Sequence, residues 1–201
     1  MLDRAIQQIL KPVLSRMASG LVRAGIGADA LTFIGFALGM AAALAIVFQN
    51  FMTGLVLLLL SRLMDGLDGA VARLTQPTDR GGFLDITLDF LFYASIPLAF
   101  AVADPAQNAL PAAVLLASFM GTASSFLAFA IVAAKRGLAS TDLPDKSFYF
   151  LGGLTEATET IAAFVAMCLW PQWFASIAYG FAALCAITTA LRIGWGWQRF
   201  R

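Results

Sequence analysis

The sequence has 201 residues, of which 60% are hydrophobic and only 12% are charged, and its formal net charge is +1. Soluble domains carry about a quarter of charged residues, so this composition predicts an integral membrane protein and gives no reason to expect a nucleic-acid partner. Histidine is absent, and Cys168 and Cys185 both lie inside apolar segments. A disulfide framework is therefore excluded, and neither a zinc site nor a Ser-His-Asp site is expected.

The first predicted element is a basic amphipathic helix over residues 2–23. Its apolar residues recur at steps of three and four, and a proline that can kink a helix, Pro12, lies near its middle. Between the apolar residues lie four basic ones, Arg4, Lys11, Arg16 and Arg23. This pattern is typical of a juxtamembrane helix that lies on the membrane surface.

Six apolar stretches follow, and each is long enough to cross a bilayer core, which takes about 20 helical residues. Short breaks that are polar or contain Pro or Gly separate them. The spans are predicted near 31–50, 52–74, 82–103, 108–134, 148–169 and 173–196. We therefore expect one membrane domain over residues 1–201, all-α, with six transmembrane helices preceded by the juxtamembrane helix.

The basic residues predict the orientation of these spans, because cytoplasmic loops carry an excess of Lys and Arg. Eleven of the 13 lysines and arginines fall on one side of the six-span arrangement, and the opposite loops contain none. Both termini and the connection between spans two and three are therefore predicted to be cytoplasmic, in a bacterial inner or plasma membrane.

Small residues at four-residue steps in spans one and four permit close helix contact. They are Gly35, Gly39 and Ala43 in span one, and Ala117, Gly121 and Ser125 in span four. Two interpretations are open: packing within the bundle, or a homodimer interface along the stripe in span four.

Four aspartates lie at helical spacing where spans two and three approach the same side of the membrane. Asp65 and Asp68 share one face of span two, and Asp85 and Asp89 share one face of span three. Ionised carboxylates in one cavity repel each other, so bound divalent cations are predicted. Oxygen ligands without His or Cys favour Mg²⁺, Mn²⁺ or Ca²⁺, and paired metals are a known arrangement for phosphoryl transfer.

The aspartates also fit two other interpretations. They would line a water-filled vestibule, or pair with Arg62, Arg73 and Arg80, without any metal. Carboxylates inside a helix bundle also suit a cation- or proton-coupled transporter. Against a transporter, the acids cluster at one side of the membrane and no inverted repeat is visible.

The spacing of these residues resembles the signature of the CDP-alcohol phosphatidyltransferases. The chain matches every fixed position of that signature, as Asp65-x-x-Asp68-Gly69-x-x-Ala72-Arg73, seven residues and Gly81-x-x-x-Asp85-x-x-x-Asp89. The resemblance implies a phospholipid-synthesising membrane enzyme in which a CDP-linked lipid, usually CDP-diacylglycerol, gives its phosphatidyl group to a small alcohol and CMP leaves. It also implies two divalent metals, Mg²⁺ or Mn²⁺.

The resemblance further implies a role for each matched residue. Asp65, Asp68 and Asp85 would hold the two metals. Asp89 would complete the metal site and act as general base on the acceptor hydroxyl. In the donor site, small residues would leave room for the cytidine or the pyrophosphate, an arginine would pair with a phosphate, and a threonine would hydrogen-bond to the donor. The residues implied to bind the CDP-lipid are Gly69, Ala72, Arg73, Thr78 and Gly81.

One segment departs from the family pattern. Where the family often has Pro-Asn before a Leu-Thr pair, this chain reads Ala28-Asp29-Ala30-Leu31-Thr32. The departure puts a donor contact from this segment in question. Asp29 is expected to be a helix N-cap.

The sequence leaves the acceptor open. Basic residues at the cytoplasmic ends of spans four to six favour a phosphorylated acceptor, glycerol 3-phosphate or inositol phosphate, although positive-inside anchoring also explains them. Two glutamates one turn apart in span five favour an amine such as serine, ethanolamine or choline, a hydrogen-bonded polyol, or an ion pair with Arg192. The candidate acceptor-binding residues are Lys135, Arg136, Glu156, Glu159 and Arg192.

Overall fold

The computed structural model describes residues 2–137 and 155–200, with side chains from residue 11 onward. Within these ranges the chain is helical and contains no β-strand. Helices α1 to α7 comprise Leu2–Arg23, Ala28–Val47, Phe51–Leu74, Asp79–Ala103, Pro105–Lys135, Ala157–Leu169 and Phe174–Arg199, and a short 3-10 turn, Pro171–Trp173, precedes α7. The predicted all-α class is confirmed.

Four helices of the described part are long and apolar enough to cross a membrane. They are α2, α4, α5 and α7 with the turn before it. Helix α3 is as long, but Arg62, Asp65 and Asp68 interrupt its apolar run. Helix α6 has only 13 residues, and the start of the corresponding predicted span, 148–154, lies outside the described residues. Four of the six predicted spans therefore correspond to helices that can cross a membrane. The other two spans stay predictions.

Two helix limits differ from the limits predicted for the spans. The first span was expected to reach residue 50, but α2 ends at Val47 because Gln49 has a φ of 59° and its backbone N–H donates to the carbonyl of Ile46 at 2.8 Å. The fifth span was expected to include residues 155 and 156, but these precede α6, which begins at Ala157. In both places polar residues form a turn or a cap where apolar content alone predicted more helix.

Glycines in α2 bring α3 and α4 close to it. A β-carbon on Gly35 would lie 3.1 Å from Cβ of Met64, and one on Gly39 would lie 2.5 Å from a ring carbon of Phe92. The Ser61 hydroxyl fills the remaining gap and donates to the carbonyl of Gly35 at 2.7 Å. The interpretation of this stripe as packing within the bundle is confirmed.

In α5 the predicted stripe also contacts its own chain. A β-carbon on Gly121 would lie 3.0 Å from the Thr189 hydroxyl oxygen of α7. Close packing of α5 on α7 thus explains the glycine. The homodimer interface predicted for this stripe stays a prediction.

Aromatic rings tie α4 to the two C-terminal helices. The rings of Phe100 and Phe174 stack with centroids 4.6 Å apart, and Phe92 meets Phe164 edge to face at 6.4 Å. All four side chains are fully buried. Because α4 carries Asp85 and Asp89, this core fixes the orientation in which those carboxylates face α3.

Helix α1 has the limits predicted for it and packs on α3. Ala18 is completely buried, and the Leu14 side chain lies 3.4 Å from where a β-carbon on Gly66 would be. Val13 and Met17 are exposed. The apolar side of α1 is therefore divided between α3 and the outside, and a position at the membrane surface stays a prediction.

The prediction that Asp29 is an N-cap is wrong. Helix α2 begins at Ala28 after Gly27, which makes no side-chain cap. Asp29 lies inside the first turn, where its carboxylate accepts a hydrogen bond from the guanidinium of Arg80. This ion pair joins the N-terminal ends of α2 and α4 at one end of the bundle.

Candidate active site

Three aspartates from two helices converge beside α2. Asp65 and Asp68 come from successive turns of α3, and Asp85 comes from the second turn of α4. One carboxylate oxygen of each lies within 4.8 Å of the other two. We call these residues the three-aspartate cluster. Its oxygen-only donor set suits a hard divalent cation, because Mg²⁺, Mn²⁺ and Ca²⁺ prefer such ligands.

The start of α4 places Asp85 in this cluster. Thr78 is the N-cap of α4, and its hydroxyl accepts a hydrogen bond from the backbone N–H of Gly81 at 3.0 Å. A β-carbon on Gly81 would lie 3.1 Å from that hydroxyl and 3.4 Å from Oδ1 of Asp29. Thr78 and Gly81 thus set where α4 begins, and their contacts with a CDP-lipid stay predictions.

Asp68 is the most buried member of the cluster, with 5% of its surface exposed. Its Oδ2 accepts a hydrogen bond of 2.6 Å from the hydroxyl of Thr32 in α2. Sequence reasoning missed this contact, although it had singled out the Leu31-Thr32 pair as part of the family pattern. The Leu31-Thr32 pair was the sequence feature that could have indicated this contact.

Asp89 lies in the same cleft but outside the three-aspartate cluster. Its Oδ1 accepts a hydrogen bond from Nη1 of Arg62 at 2.7 Å, and the same nitrogen lies 3.4 Å from Oδ1 of Asp65. Sequence reasoning weighed Arg62 only as a partner for aspartates without a metal. Arg62 lies three residues before Asp65 and therefore on the same helix face. This spacing could have indicated that Arg62 belongs to the site. The metal-binding role of Asp89 stays a prediction.

The cleft that holds these groups lies between α2, α3 and α4. All four aspartates line it, together with Thr32 and Arg62. Gly35, Phe36 and Leu88 form its apolar wall. A cleft with clustered carboxylates and an apolar wall can receive the polar headgroup of a lipid together with cations.

Arg73 lies at the open end of α3, beside the glycine of the motif. A β-carbon on Gly69 would be 3.3 Å from Nη1 of Arg73, so the guanidinium extends back over this position. Ala72, the other small residue of the motif, is half-buried and Arg73 is exposed. An exposed guanidinium one turn beyond Asp68 is suitably placed for a phosphate, but its donor contact stays a prediction.

The candidate acceptor residues are not among those that line the cleft. Glu156 and Glu159 form a capping box at the start of α6, where Oε2 of Glu159 accepts from the backbone N–H of Glu156 at 3.1 Å. Nη1 of Arg192 donates to the carbonyl of Thr122 at 3.0 Å. None of these three candidates lines the aspartate cleft described above.

The two basic candidates of α5 lie at its C-terminal end. Nη2 of Arg136 donates to the carbonyl of Phe200 at 2.6 Å, and its guanidinium lies 5.4 Å from the ring centre of Phe200. Lys135 is the last residue of α5 and is exposed. Arg136 therefore joins the ends of α5 and α7, and its binding role stays a prediction.

Comparison with known proteins identifies relatives. The sequence model of a family described as CDP-alcohol phosphatidyltransferase matches residues 26–191. The chain is 51% identical over 197 residues to the inner membrane protein YnjF of Escherichia coli strain K12. This match covers 98% of this chain and 96% of that protein. This family match does not favour the transporter alternative.

Two archaeal enzymes match a shorter part of the chain. The archaetidylinositol phosphate synthase of Pyrococcus horikoshii is 38% identical over 92 residues, which is 45% of this chain and 49% of that enzyme. The enzyme of the same name from Methanothermobacter thermautotrophicus is 42% identical over 83 residues, 40% of this chain and 43% of that enzyme. The similarity thus covers about half of each archaeal chain.

Proposed function

The chain belongs to the CDP-alcohol phosphatidyltransferase family, and on this premise we propose that it transfers a phosphatidyl group from CDP-diacylglycerol to the hydroxyl of a small polar alcohol and releases CMP. The observation that carries the proposal is the three-aspartate cluster, whose oxygens lie within 4.8 Å of one another in a cleft shared with Asp89. The proposed enzyme takes part in phospholipid synthesis in a membrane.

In the proposed reaction, the hydroxyl oxygen of the acceptor attacks the phosphorus that carries the diacylglycerol. A new phosphorus–oxygen bond forms, the bond from this phosphorus to the bridging oxygen of the pyrophosphate breaks, and CMP leaves with that electron pair. Asp89 takes the hydroxyl proton. Without metal its Oδ1 accepts a hydrogen bond from Arg62, and an oxygen of Asp89 can accept the proton because a carboxylate has two basic oxygens.

The residues of the cleft fit divalent cations, because three carboxylate oxygens converge there and the whole sequence contains no histidine. Asp65, Asp68 and Asp85 would hold two Mg²⁺ or Mn²⁺ ions, and Asp89 would complete the site. When bound, such ions neutralise the charge that develops on the phosphates and on the leaving CMP.

The donor headgroup is proposed to lie along the C-terminal half of α3 and the start of α4. Arg73 pairs with one of its phosphates, because a guanidinium can grip two phosphate oxygens at once. Gly69, Ala72 and Gly81 leave space for the cytidine or the pyrophosphate. Thr78, whose hydroxyl already accepts from Gly81, retains its own proton for a hydrogen bond to the donor.

For the acceptor, a phosphorylated polyol of the inositol phosphate kind is proposed. The archaeal relatives carry inositol phosphate in the name of their product. Lys135, Arg136 and Arg192 supply positive charge on the packed helices α5 and α7. Glu156 and Glu159, which would favour an amine acceptor such as serine or choline, already form the cap of α6.

The proposed enzyme has six spans, with α1 on the cytoplasmic surface and both termini and the cleft on the cytoplasmic side. The bacterial relative is named as an inner membrane protein, which supports an inner membrane location. A homodimer formed through α5 is part of the same proposal. Pro77→Cys and Gln107→Cys, each as the single cysteine of the chain, test the orientation. In inverted vesicles, which expose the cytoplasmic side, only the cysteine at position 77 should react with a membrane-impermeant thiol reagent.

The experiment that tests the activity is release of CMP by the purified full-length protein from CDP-diacylglycerol with Mg²⁺ or Mn²⁺. Inositol phosphate, glycerol 3-phosphate, serine, ethanolamine and choline are supplied one at a time. CMP release that needs both an acceptor and a metal supports the proposal, and Asp68→Asn serves as the inactive control. Absence of CMP with every acceptor would contradict it.

A further inference from the structure

We propose that Arg62 is a positioning residue that engages Oδ1 of Asp89, keeps this oxygen from binding a metal, and so makes the metal positions unequal. One divalent cation binds tightly at the cluster, and a second binds weakly until Asp89 leaves Arg62 and substrate phosphates enter. This inference rests on the proposed function, because it concerns the metal site of the same reaction.

The first observation is the ion pair itself. Nη1 of Arg62 lies 2.7 Å from Oδ1 of Asp89 but 3.4 Å from Oδ1 of Asp65. The shorter contact is a charge-assisted hydrogen bond, and the longer one is a looser ion pair. Oδ1 of Asp89 is thus engaged by Arg62, whereas Asp65 has the looser contact and offers an oxygen within 4.8 Å of Asp68 and Asp85.

The second observation is that the guanidinium is held in place from several sides. It lies 3.9 Å from the centre of the Phe92 ring, and its Nη2 lies within 3.1 Å of the Ser61 hydroxyl. Only 13% of the Arg62 side chain is exposed. Stacking on a buried ring restricts a guanidinium, so the pair breaks by movement of Asp89 more readily than by movement of Arg62.

The third observation is the balance of charge in the cleft. With all four aspartates ionised, as metal ligands are, the aspartates and Arg62 carry a formal charge of −3. One divalent cation reduces this charge to −1, while a second would make the cleft positive with a fixed guanidinium inside it. Because like charges repel strongly where water is scarce, the second ion is disfavoured until substrate phosphates enter.

The inference can be tested by titrating the purified full-length protein with Mn²⁺, without substrate, and counting bound ions by electron paramagnetic resonance. We expect one tightly bound Mn²⁺ and a second ion bound at least tenfold more weakly. In Arg62→Met, which keeps an apolar stem on Phe92 but has no charge, we expect two ions with affinities within about threefold. Arg62→Lys, which keeps the charge, should still bind the ions unequally.

The matched control is Arg80→Met, which removes one positive charge at the same end of the bundle from a side chain that pairs with Asp29 outside the cluster. It should bind Mn²⁺ as the natural sequence does. Two equally tight ions in the natural sequence would overturn the inference, and so would unequal binding in Arg62→Met. Asp89→Asn provides a second test if Arg62→Met does not fold, since loss of the tight ion in that variant would also overturn it. A natural protein that binds no Mn²⁺ would instead contradict the proposed function.

Discussion

The hydroxyl of Thr32 lies 2.6 Å from Oδ2 of Asp68, so α2 takes part in the site although it carries none of the four aspartates. Thr32 also lies within 3.1 Å of the carbonyl of Ala28, one turn earlier in the helix. The contact fixes the Oδ2 oxygen, and with it the orientation, of a buried carboxylate of the cluster. Groups that orient a metal ligand in this way affect metal affinity without touching the metal.

Thr32→Val removes this hydroxyl and keeps the shape of the side chain. We expect the affinity for Mn²⁺ to fall by about 10- to 100-fold, with CMP release restored in part by excess metal. Thr32→Ser, which keeps the hydroxyl, should bind Mn²⁺ almost normally. Thr75→Val is the matched control, because that hydroxyl donates to the carbonyl of Val71 and meets no aspartate. Unchanged affinity in Thr32→Val would show that Asp68 does not need this partner.

Gly39→Ala tests the close approach of α2 to α4. The added β-carbon would lie 2.5 Å from a carbon of the Phe92 ring, and that ring is fully buried and cannot move freely. We expect a loss of stability of about 1–3 kcal/mol, typical of overpacking, measured as a lower thermal unfolding midpoint in detergent. Gly180→Ala in α7, where nothing lies within 4 Å of the new carbon, should leave the midpoint unchanged or slightly raised.

The helices and the convergence of three aspartates could be predicted because both depend on local periodicity. A helix places residues three or four apart on one face, and the short connection between α3 and α4 makes those faces adjacent. The same rule placed Asp89 near the others. It could not show that Asp89 pairs with Arg62, because that contact depends on how α4 is rotated by its packing on Phe164 and Phe174.

The prediction was least successful where polar residues end or begin helices. Glu156 and Glu159 suggested a buried functional pair, and the structure uses them as a capping box. Glutamate is not a usual N-cap residue, so the composition around it gave no sign of a helix start. Aspartate is a preferred N-cap residue, but the carboxylate of Asp29 forms an ion pair with Arg80 instead.

Arg73→Lys tests the proposed contact with the donor phosphates. Lysine keeps the charge but lacks the planar group that binds two oxygens at once. We expect KM for CDP-diacylglycerol to rise by about tenfold, equivalent to about 1.4 kcal/mol, with a smaller loss of kcat. Arg80→Lys, which can keep its pair with Asp29, is the control and should leave both constants unchanged. A normal KM in Arg73→Lys would assign Arg73 a structural role.

The last prediction separates Asp89 from the other three aspartates, which all lie in the same cleft. Asp68→Asn and Asp65→Asn each remove a charged oxygen from the three-aspartate cluster, so metal affinity should fall and excess Mg²⁺ should restore part of the activity. Asp89→Asn keeps the shape of the side chain and lies outside that cluster. It should therefore retain the tight Mn²⁺ ion and bind CDP-diacylglycerol.

The asparagine at position 89 cannot accept the hydroxyl proton, and general-base assistance is typically worth about 10²- to 10⁴-fold in rate. We therefore expect CMP release by Asp89→Asn to fall by that factor and to stay low when Mg²⁺ is raised. Metal titration of each variant, with donor binding followed in parallel, distinguishes the two kinds of defect. If excess Mg²⁺ restored Asp89→Asn as it restores Asp68→Asn, Asp89 would be a metal ligand only. The proton would then have to pass to another group in the cleft.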